Sequence, residues 1–160
     1  MPELSPPADA SGPTIRPATP SDLDAVRACV RKAYALYVPR IGREPAPMTA
    51  DYAGLIGRGE VWVAEDADRL AGVLVLRPLP VSLLLENVAV FPALQGRGIG
   101  RALIAFAEGH GRELGLPEVT LYTNERMTEN IRLYPRLGYV ETGRRLEEGF
   151  ARVYFRKPLG

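Results

Sequence analysis

The pattern of hydrophobic and polar positions predicts a chain of short strands interleaved with amphipathic helices. Apolar residues recur at helical spacing in several segments, and we predict helices at 21–37, 49–56, 99–114 and 127–136. Compact apolar runs between turn residues predict strands at 14–16, 61–65, 70–76, 83–91, 119–123, 138–141 and 151–155. Segment 38–48 carries three prolines and a glycine and is predicted to be a loop.

One stretch, residues 83–114, organises the rest of the chain. Its first part, 83–91, is a nearly continuous apolar run, which is typical of a strand covered on both faces. Pro92 ends this strand, because proline cannot donate to a sheet ladder. A glycine cluster follows and leads directly into a predicted helix. The stretch is therefore predicted to be a strand, a turn and a helix in succession.

The glycine cluster predicts a binding site for a phosphate or pyrophosphate. The first N–H groups of a helix have no partner within it and attract anions, and Arg97 and Arg101 add positive charge. A P-loop would need Lys and then Ser or Thr after Gly100, but Arg101 follows. A dinucleotide motif beginning at Gly96 and Gly98 would need a third glycine where Arg101 stands. Both nucleotide interpretations are therefore weak.

A third interpretation fits better, because several segments resemble one family in the right order. The sequence QGRGIG at 95–100 matches the Q/R-x-x-G-x-G/A motif of the GNAT superfamily of acyl-CoA-dependent N-acetyltransferases. The preceding ENVAVFP at 86–92 is similar to the fourth strand of that family. IRPATPSDL at 15–23 resembles its first strand and helix start, and LYPRLGY at 133–139 resembles a segment near its C-terminus.

The resemblance implies an α/β fold and a donor. The fold would be a mixed, mostly antiparallel sheet of about seven strands, splayed between strands 4 and 5 and flanked by about four helices. The donor would be acetyl-CoA, with its pantetheine arm in the splayed gap. None of the motifs specifies the acceptor.

Composition narrows the classes of protein that remain. With 160 residues, 46% hydrophobic and 24% charged, we predict one domain at 14–160 after a disordered tail at 1–13. The net charge of +1 argues against a general nucleic-acid binder. Neither a membrane span nor a secretory signal is recognisable, so we expect a cytoplasmic protein that does not bind membranes. A single cysteine, Cys29, and a single histidine, His110, predict no metal site.

Glu86 is the sharpest candidate for chemistry. Strand alternation places it on one face with Leu84, Val88 and Val90, and places Asn87 on the opposite face in a structural role. A carboxylate in a covered strand is costly without a partner or a function. It could accept the proton that an ammonium must lose before acetyl transfer, directly or through water, or it could attract a cationic amine. The resemblance implies the same role, and an ion pair with an arginine is the structural alternative.

Tyr134 is the second candidate, on the strength of the resemblance. It matches the tyrosine that protonates the departing CoA thiolate in the family. Pro135 follows it inside the predicted helix and would shorten or kink that helix, which affects how Tyr134 is aimed. The alternative is a half-buried packing residue.

The resemblance also implies contacts to the donor. Main-chain groups of the strand would pair with the pantetheine arm, with an amide near Val90 polarising the thioester carbonyl. The pyrophosphate would bind the turn and helix start. The family asparagine expected seven residues before Tyr134 is replaced by Met127, so either Asn124 or Asn130 substitutes for it or the contact is absent. The predicted donor site comprises Val88, Ala89, Val90, Gln95, Gly96, Arg97, Gly98, Ile99, Gly100, Arg101, Asn124 and Asn130.

Aromatic residues of the first two helices are candidates for the acceptor side. Tyr34, Tyr37 and Tyr52 would bind the acceptor together with Glu86, and plain packing is the alternative for each tyrosine. We therefore predict an acetyl-CoA-dependent transferase that acts on a primary amine of a small molecule. A protein or peptide acetyltransferase and a non-catalytic acyl-CoA-binding module are the alternatives, and a homodimer is possible in either case.

Overall fold

The computed structural model describes residues 12–160, whose central feature is a sheet of seven strands in the order β1-β2-β3-β4-β5-β7-β6. Most of the predicted tail at 1–13 therefore lies outside the described residues. Pairing is antiparallel throughout except between β4 and β5, which are parallel. The strands are β1 Thr14–Pro17, β2 Val61–Asp66, β3 Arg69–Pro78, β4 Leu83–Val90, β5 Glu118–Asn124, β6 Val140–Glu147 and β7 Phe150–Pro158.

Four helices of six residues or more and one single turn flank the sheet in residues 12–160. They are α1 Leu23–Tyr34, the single turn α2 Val38–Ile41, α3 Tyr52–Gly57, α4 Ile99–Glu113 and α5 Thr128–Arg136. The mixed sheet with its flanking helices confirms the predicted fold class. No helix in this part of the chain is long and apolar enough to cross a membrane.

The segment after α1 differs from the prediction. The first helix ends at Tyr34 and continues only as a 3-10 turn, Ala35–Tyr37. The predicted loop at 38–48 contains α2, because Pro39 lies in the first turn, where a missing N–H costs no hydrogen bond. Gly42 then ends α2 with a φ of 91°, a left-handed conformation that favours glycine.

The two faces of the sheet are buried by different helices. On one face, Leu74 and Leu76 of β3 pack in a cluster with Leu103 and Ile104 of α4. On the other face, Val73 and Val75 of β3 belong to a cluster with residues of α1 and α3, among them Val26, Val30 and Leu55. Residues of β3 therefore alternate between the two cores, as a central strand requires.

β4 and β5 separate after a short paired stretch, as the resemblance implied. Their parallel register runs from Leu83–Val119 to Leu85–Leu121 and stops there. β4 nevertheless continues to Val90, and β5 continues to Asn124. A gap therefore opens between the two strands beyond Leu85.

A β-bulge at Glu86 coincides with the start of this gap. Val75 pairs with Asn87 while Leu76 pairs with Leu85, so Glu86 stands between two registered pairs. Leu85 packs in the α4 cluster, whereas Asn87 donates to Tyr52 in the cluster of α1 and α3. The bulge thus interrupts the alternation of faces along β4.

Two expectations about β4 are therefore wrong. Val88 and Val90 pack against the α4 cluster. Glu86 instead contacts Tyr122 and Arg77, whose strand neighbours Leu121 and Leu76 belong to that cluster, so alternation places both on the other face. Glu86 therefore does not share a face with the two valines. Glu86 and Asn87 lie on the same side of the sheet rather than on opposite sides.

The prediction that β4 is covered on both faces is confirmed, because Leu83 and Leu85 belong to the α4 cluster and Ala89 belongs to the cluster of α1 and α3. The Glu86 side chain is nevertheless 28% exposed.

Candidate active site

The gap between β4 and β5 widens into a cleft of about 1050 Å³. One end is formed by the turn before α4 and by the start of α4 itself. The other end lies between the segment that follows α1 and the hairpin that joins β6 to β7. Glu86 and Tyr134 both line the cleft, so the fold brings the two predicted catalytic residues to one cavity.

Main-chain groups of β4 face into this cleft. The Phe91 N–H donates to the Ala71 carbonyl at 3.0 Å, so Phe91 and Ala89 form hydrogen bonds with β3. Val88 and Val90 alternate with them and direct their N–H and C=O groups towards the gap, where β5 no longer pairs. The Val90 carbonyl accepts from Gln95 Nε2 at 3.3 Å. Ala89, also predicted to contact the donor, directs its main chain to β3 and has a buried side chain.

The glycine turn presents unpartnered N–H groups at the start of α4. The first hydrogen bond within the helix joins the Ala102 N–H to the Gly98 carbonyl at 3.0 Å. The preceding N–H groups of the helix, from Ile99 to Arg101, have no partner within it and carry the positive end of the helix dipole. Gly96 and Gly98 have φ of 85° and 82°, and a Cβ at either position would meet nothing within 4 Å. The turn is therefore an open cradle that only glycine forms without strain.

The two arginines of the turn have different environments. Arg101 is exposed and lines the cleft. Arg97 instead forms an ion pair at 3.5 Å with Asp66, the last residue of β2. Ile99 buries its side chain in the α4 cluster, which anchors the start of the helix.

Glu86 is held at the fork between β4 and β5. The Tyr122 hydroxyl lies 3.5 Å from Glu86 Oε2, and Arg77 Nη1 lies 3.9 Å from Oε1. Burial and the nearby Glu86 charge raise the pKa of Tyr122, so its phenol stays protonated and can donate. Tyr122 was not predicted from the sequence. The parallel register that pairs Leu85 with Leu121 was the signal that could have placed Tyr122 beside Glu86.

Tyr134 points from α5 into the cleft and is 6% exposed. Its ring packs edge-on against Tyr139, with centroids 5.6 Å apart, and against Phe155 at 5.9 Å. Burial raises the pKa of Tyr134 above its ordinary value, so the phenol is a proton donor and not a phenolate. α5 continues through Pro135 and ends one residue later, so the helix is short, as predicted.

The tyrosines of the acceptor side are tied into the wall of the cleft. Asn87 accepts from the Tyr34 hydroxyl at 2.6 Å and donates to the Tyr52 hydroxyl at 2.9 Å. Tyr34 also donates to the Val88 carbonyl at 3.2 Å, and Tyr52 donates to the Pro47 carbonyl at 2.6 Å. Asn87 is therefore structural, as predicted, and it joins β4 to α1 and α3. Tyr37 lines the cleft too and stacks beneath the Arg40 guanidinium at 5.3 Å.

The two asparagines proposed as substitutes for Met127 both line the cleft. Asn130 Nδ2 donates to Thr123 Oγ1 at 3.2 Å, and Asn124 Oδ1 accepts from the Arg126 N–H at 2.8 Å. Met127 lines the cleft as well, although it is largely buried in the cluster of α1 and α3. Asn130 keeps its amide oxygen free of protein contacts within the described residues, which leaves it available to a ligand.

Further residues of the cleft come from the hairpin between β6 and β7 and were not predicted. They are Glu147, Glu148, Phe150 and Arg152. Arg152 lies 4.4 Å from the Tyr122 ring and 3.3 Å from Glu147 Oε1. Nothing in their sequence pattern marks them, because a strand pairing brings them to the cleft from far along the chain.

Comparison with known proteins agrees with this geometry. A family model described as an acetyltransferase (GNAT) domain matches residues 57–141, more than half of the chain. The chain belongs to the GNAT acetyltransferase family. The match includes β4, the glycine turn, α4 and α5, and the resemblance inferred from the motifs is thereby confirmed.

Curated relatives share part of the chain. The uncharacterized N-acetyltransferase YvbK of Bacillus subtilis is 32% identical over 83 residues, which cover 51% of this chain and 54% of that protein. Mycothiol acetyltransferase of Streptosporangium roseum is 48% identical over 52 residues, which cover 32% of this chain and 15% of that protein. The chain thus spans about half the length, or less, of these relatives.

Solved structures share the whole fold. The ribosomal-protein-S18-alanine N-acetyltransferase of Escherichia coli superposes with a TM-score of 0.75 at 21% identity, covering 92% of this chain and 94% of that one. The PaiA N-acetyltransferase of Thermoplasma acidophilum, solved in complex with coenzyme A, gives a TM-score of 0.75 at 16% identity, covering 92% and 99%. At these identities the likeness concerns the fold alone.

Proposed function

We propose that this protein transfers an acetyl group from acetyl-CoA to a primary amine by direct attack. The observation that carries the proposal is the cleft itself. It joins main-chain groups of β4 that no neighbouring strand pairs, an open helix N-terminus, and the side chains of Glu86 and Tyr134. Membership of the GNAT family supports the same activity.

The residues at the glycine end fit a CoA donor. Gly96 and Gly98 leave the space beside the backbone open, and the free N–H groups of Ile99, Gly100 and Arg101 point out of the helix start. Together with the Arg101 side chain they would hold the pyrophosphate. Val88 and Val90 would pair with the pantetheine arm as an added strand does.

The groups at the fork suit the chemistry of acetyl transfer. The amine nitrogen forms a bond to the acetyl carbon while the bond from that carbon to sulfur breaks. Glu86 would take the proton that the ammonium loses, directly or through water. The Val90 N–H would stabilise charge on the thioester oxygen, and Tyr134 would donate its proton to the departing sulfur.

Two measurements test the proposal in sequence. Calorimetry should detect binding of acetyl-CoA, and the Gly98→Ala variant should weaken it. A thiol-release assay with a panel of primary amines should then detect amine-dependent formation of free CoA. Failure of acetyl-CoA to bind would overturn the proposed function at its first step.

A further inference from the structure

The acceptor end of the cleft lies between two walls. One wall is the segment after α1, which contributes Tyr37, Pro45 and Pro47 to the lining. The opposite wall comprises the β6–β7 hairpin, which contributes Glu147 and Phe150, and the start of α5, which contributes Glu129. Since these walls come from distant parts of the chain, the contacts between them determine how wide the acceptor end is.

Arg40 and Arg43 provide such contacts, and we call them the two bridging arginines. Arg40, in α2, forms a bidentate ion pair with Glu129 of α5, with N–O distances of 2.8 and 3.0 Å. Arg43, just after α2, donates to the Glu148 carbonyl. Its guanidinium also lies 3.6 Å from the centroid of the Phe150 ring. The segment after α1 is thereby attached to the opposite wall at two separate points.

Neither bridging arginine lines the cleft itself. Their guanidinium groups lie outside it and hold its walls together, so they are not part of the binding or catalytic machinery. The planar group of Arg43 suits both of its contacts, because it stacks on an aromatic face while donating at its edge. The hydrogen bonds of both arginines are exposed, and contacts of this kind are individually weak, so the two arginines have to be replaced together to remove their effect.

We propose that the two bridging arginines restrict the acceptor to compact amines. A lysine inside a polypeptide needs a groove that is open on both flanks, because the chain must leave on either side of the reacting nitrogen. The contacts to Glu129 and Glu148 cross those flanks. The substrate class is then a small primary amine, and this inference rests on the acetyl transfer proposed above.

The test compares two conjugates of CoA whose sulfur is joined through an acetyl bridge to an amine. In the first the amine is ethylamine, and in the second it is a lysine in the middle of a short peptide. Calorimetry would measure both with the wild type, with the Arg40→Ala/Arg43→Ala double variant, and with Arg31→Ala. Arg31 is the matched control, because it also pairs with the segment, through Glu44 at 3.1 Å, but reaches no opposite wall.

The wild type and Arg31→Ala should bind the ethylamine conjugate at least about tenfold more tightly than the peptide conjugate. The double variant should lose most of that ratio by binding the peptide conjugate more tightly. Equal binding of both conjugates by the wild type, or an unchanged ratio in the double variant, would overturn the inference while leaving acetyl transfer intact. Failure of CoA and both conjugates to bind would instead contradict the proposed function.

Discussion

The Tyr122 hydroxyl lies 3.5 Å from Glu86 Oε2, across the line where β4 and β5 separate. The last registered pair of the two strands, Leu85 and Leu121, stands immediately before them. The bulge at Glu86 and the end of strand pairing thus occur together. The result is a carboxylate at the fork of the sheet, close to main-chain groups that no strand uses.

Replacing Glu86 with glutamine should lower turnover on the order of 100-fold, because the amide cannot accept the proton of the ammonium. The Michaelis constant for acetyl-CoA should change little, since Glu86 lies away from the glycine turn. Steady-state kinetics over a range of pH would measure both effects. Unchanged turnover, with an unchanged pH profile, would remove Glu86 from the chemistry.

Replacing Tyr134 with phenylalanine should lower turnover by about 10-fold to 100-fold and leave the affinity for acetyl-CoA nearly unchanged. Its hydroxyl makes no hydrogen bond to protein within residues 12–160, so urea unfolding should detect little loss of stability. A variant that binds acetyl-CoA poorly but turns over at the wild-type rate would make Tyr134 a binding residue only.

The raised pKa of Tyr134 also predicts a pH dependence. A phenol whose pKa is raised stays protonated up to that pKa, so its role as a donor should persist beyond the ordinary tyrosine value of about 10. Turnover should therefore show no decline that depends on Tyr134 between neutral pH and about pH 10. A decline near pH 8 that is absent from the phenylalanine variant would contradict this assignment.

Asn87 should be important for stability as well as for the shape of the site. Replacing it with alanine removes a buried amide that serves two tyrosine hydroxyls, and it should cost about 1–3 kcal/mol in the free energy of unfolding. Asn130→Ala is the comparison, because Asn130 is less buried and should cost less. Urea unfolding measures the loss of stability in each variant. An equal loss in the two would show that the hydrogen bonds of Asn87 stabilise the protein no more than those of Asn130 do.

Alanine substitution should have opposite effects on stability at two glycines, one directly before α4 and one inside it. Gly98→Ala should cost about 1–2 kcal/mol in stability, because its φ of 82° is strained for any other residue. It should also weaken acetyl-CoA binding, because the new methyl group projects into the cradle. Gly109→Ala, in the interior of α4 with nothing within 4 Å, should gain about 0.5–1 kcal/mol and leave binding unchanged. Calorimetry and urea unfolding of both variants provide the test, and equal effects would contradict it.

The sequence predicted the strand, glycine turn and helix at 83–114 because each part has a local cause. The apolar run specifies a strand, Pro92 ends it, and the glycines permit the left-handed turn. The presence of Glu86 and Tyr134 in one cleft was predicted only through the family resemblance. No local pattern relates residues so far apart in the chain.

The bulge at Glu86 could not be predicted in the same way. A bulge changes the register against β3, and that register depends on which residues of β3 face each core. Strict alternation from the sequence therefore placed Asn87 on the wrong side. α2 was missed for a related reason, since Pro39 reads as a helix breaker unless its position in the first turn is known.

Thiol release from acetyl-CoA in the presence of primary amines tests the central claim most directly. With wild-type protein, free CoA should form at a rate that saturates with one or more small amines. The rate should be much reduced in the Glu86→Gln and Tyr134→Phe variants. Binding of acetyl-CoA without release above background hydrolysis, for every amine tested, would contradict this claim and favour a non-catalytic acyl-CoA-binding module.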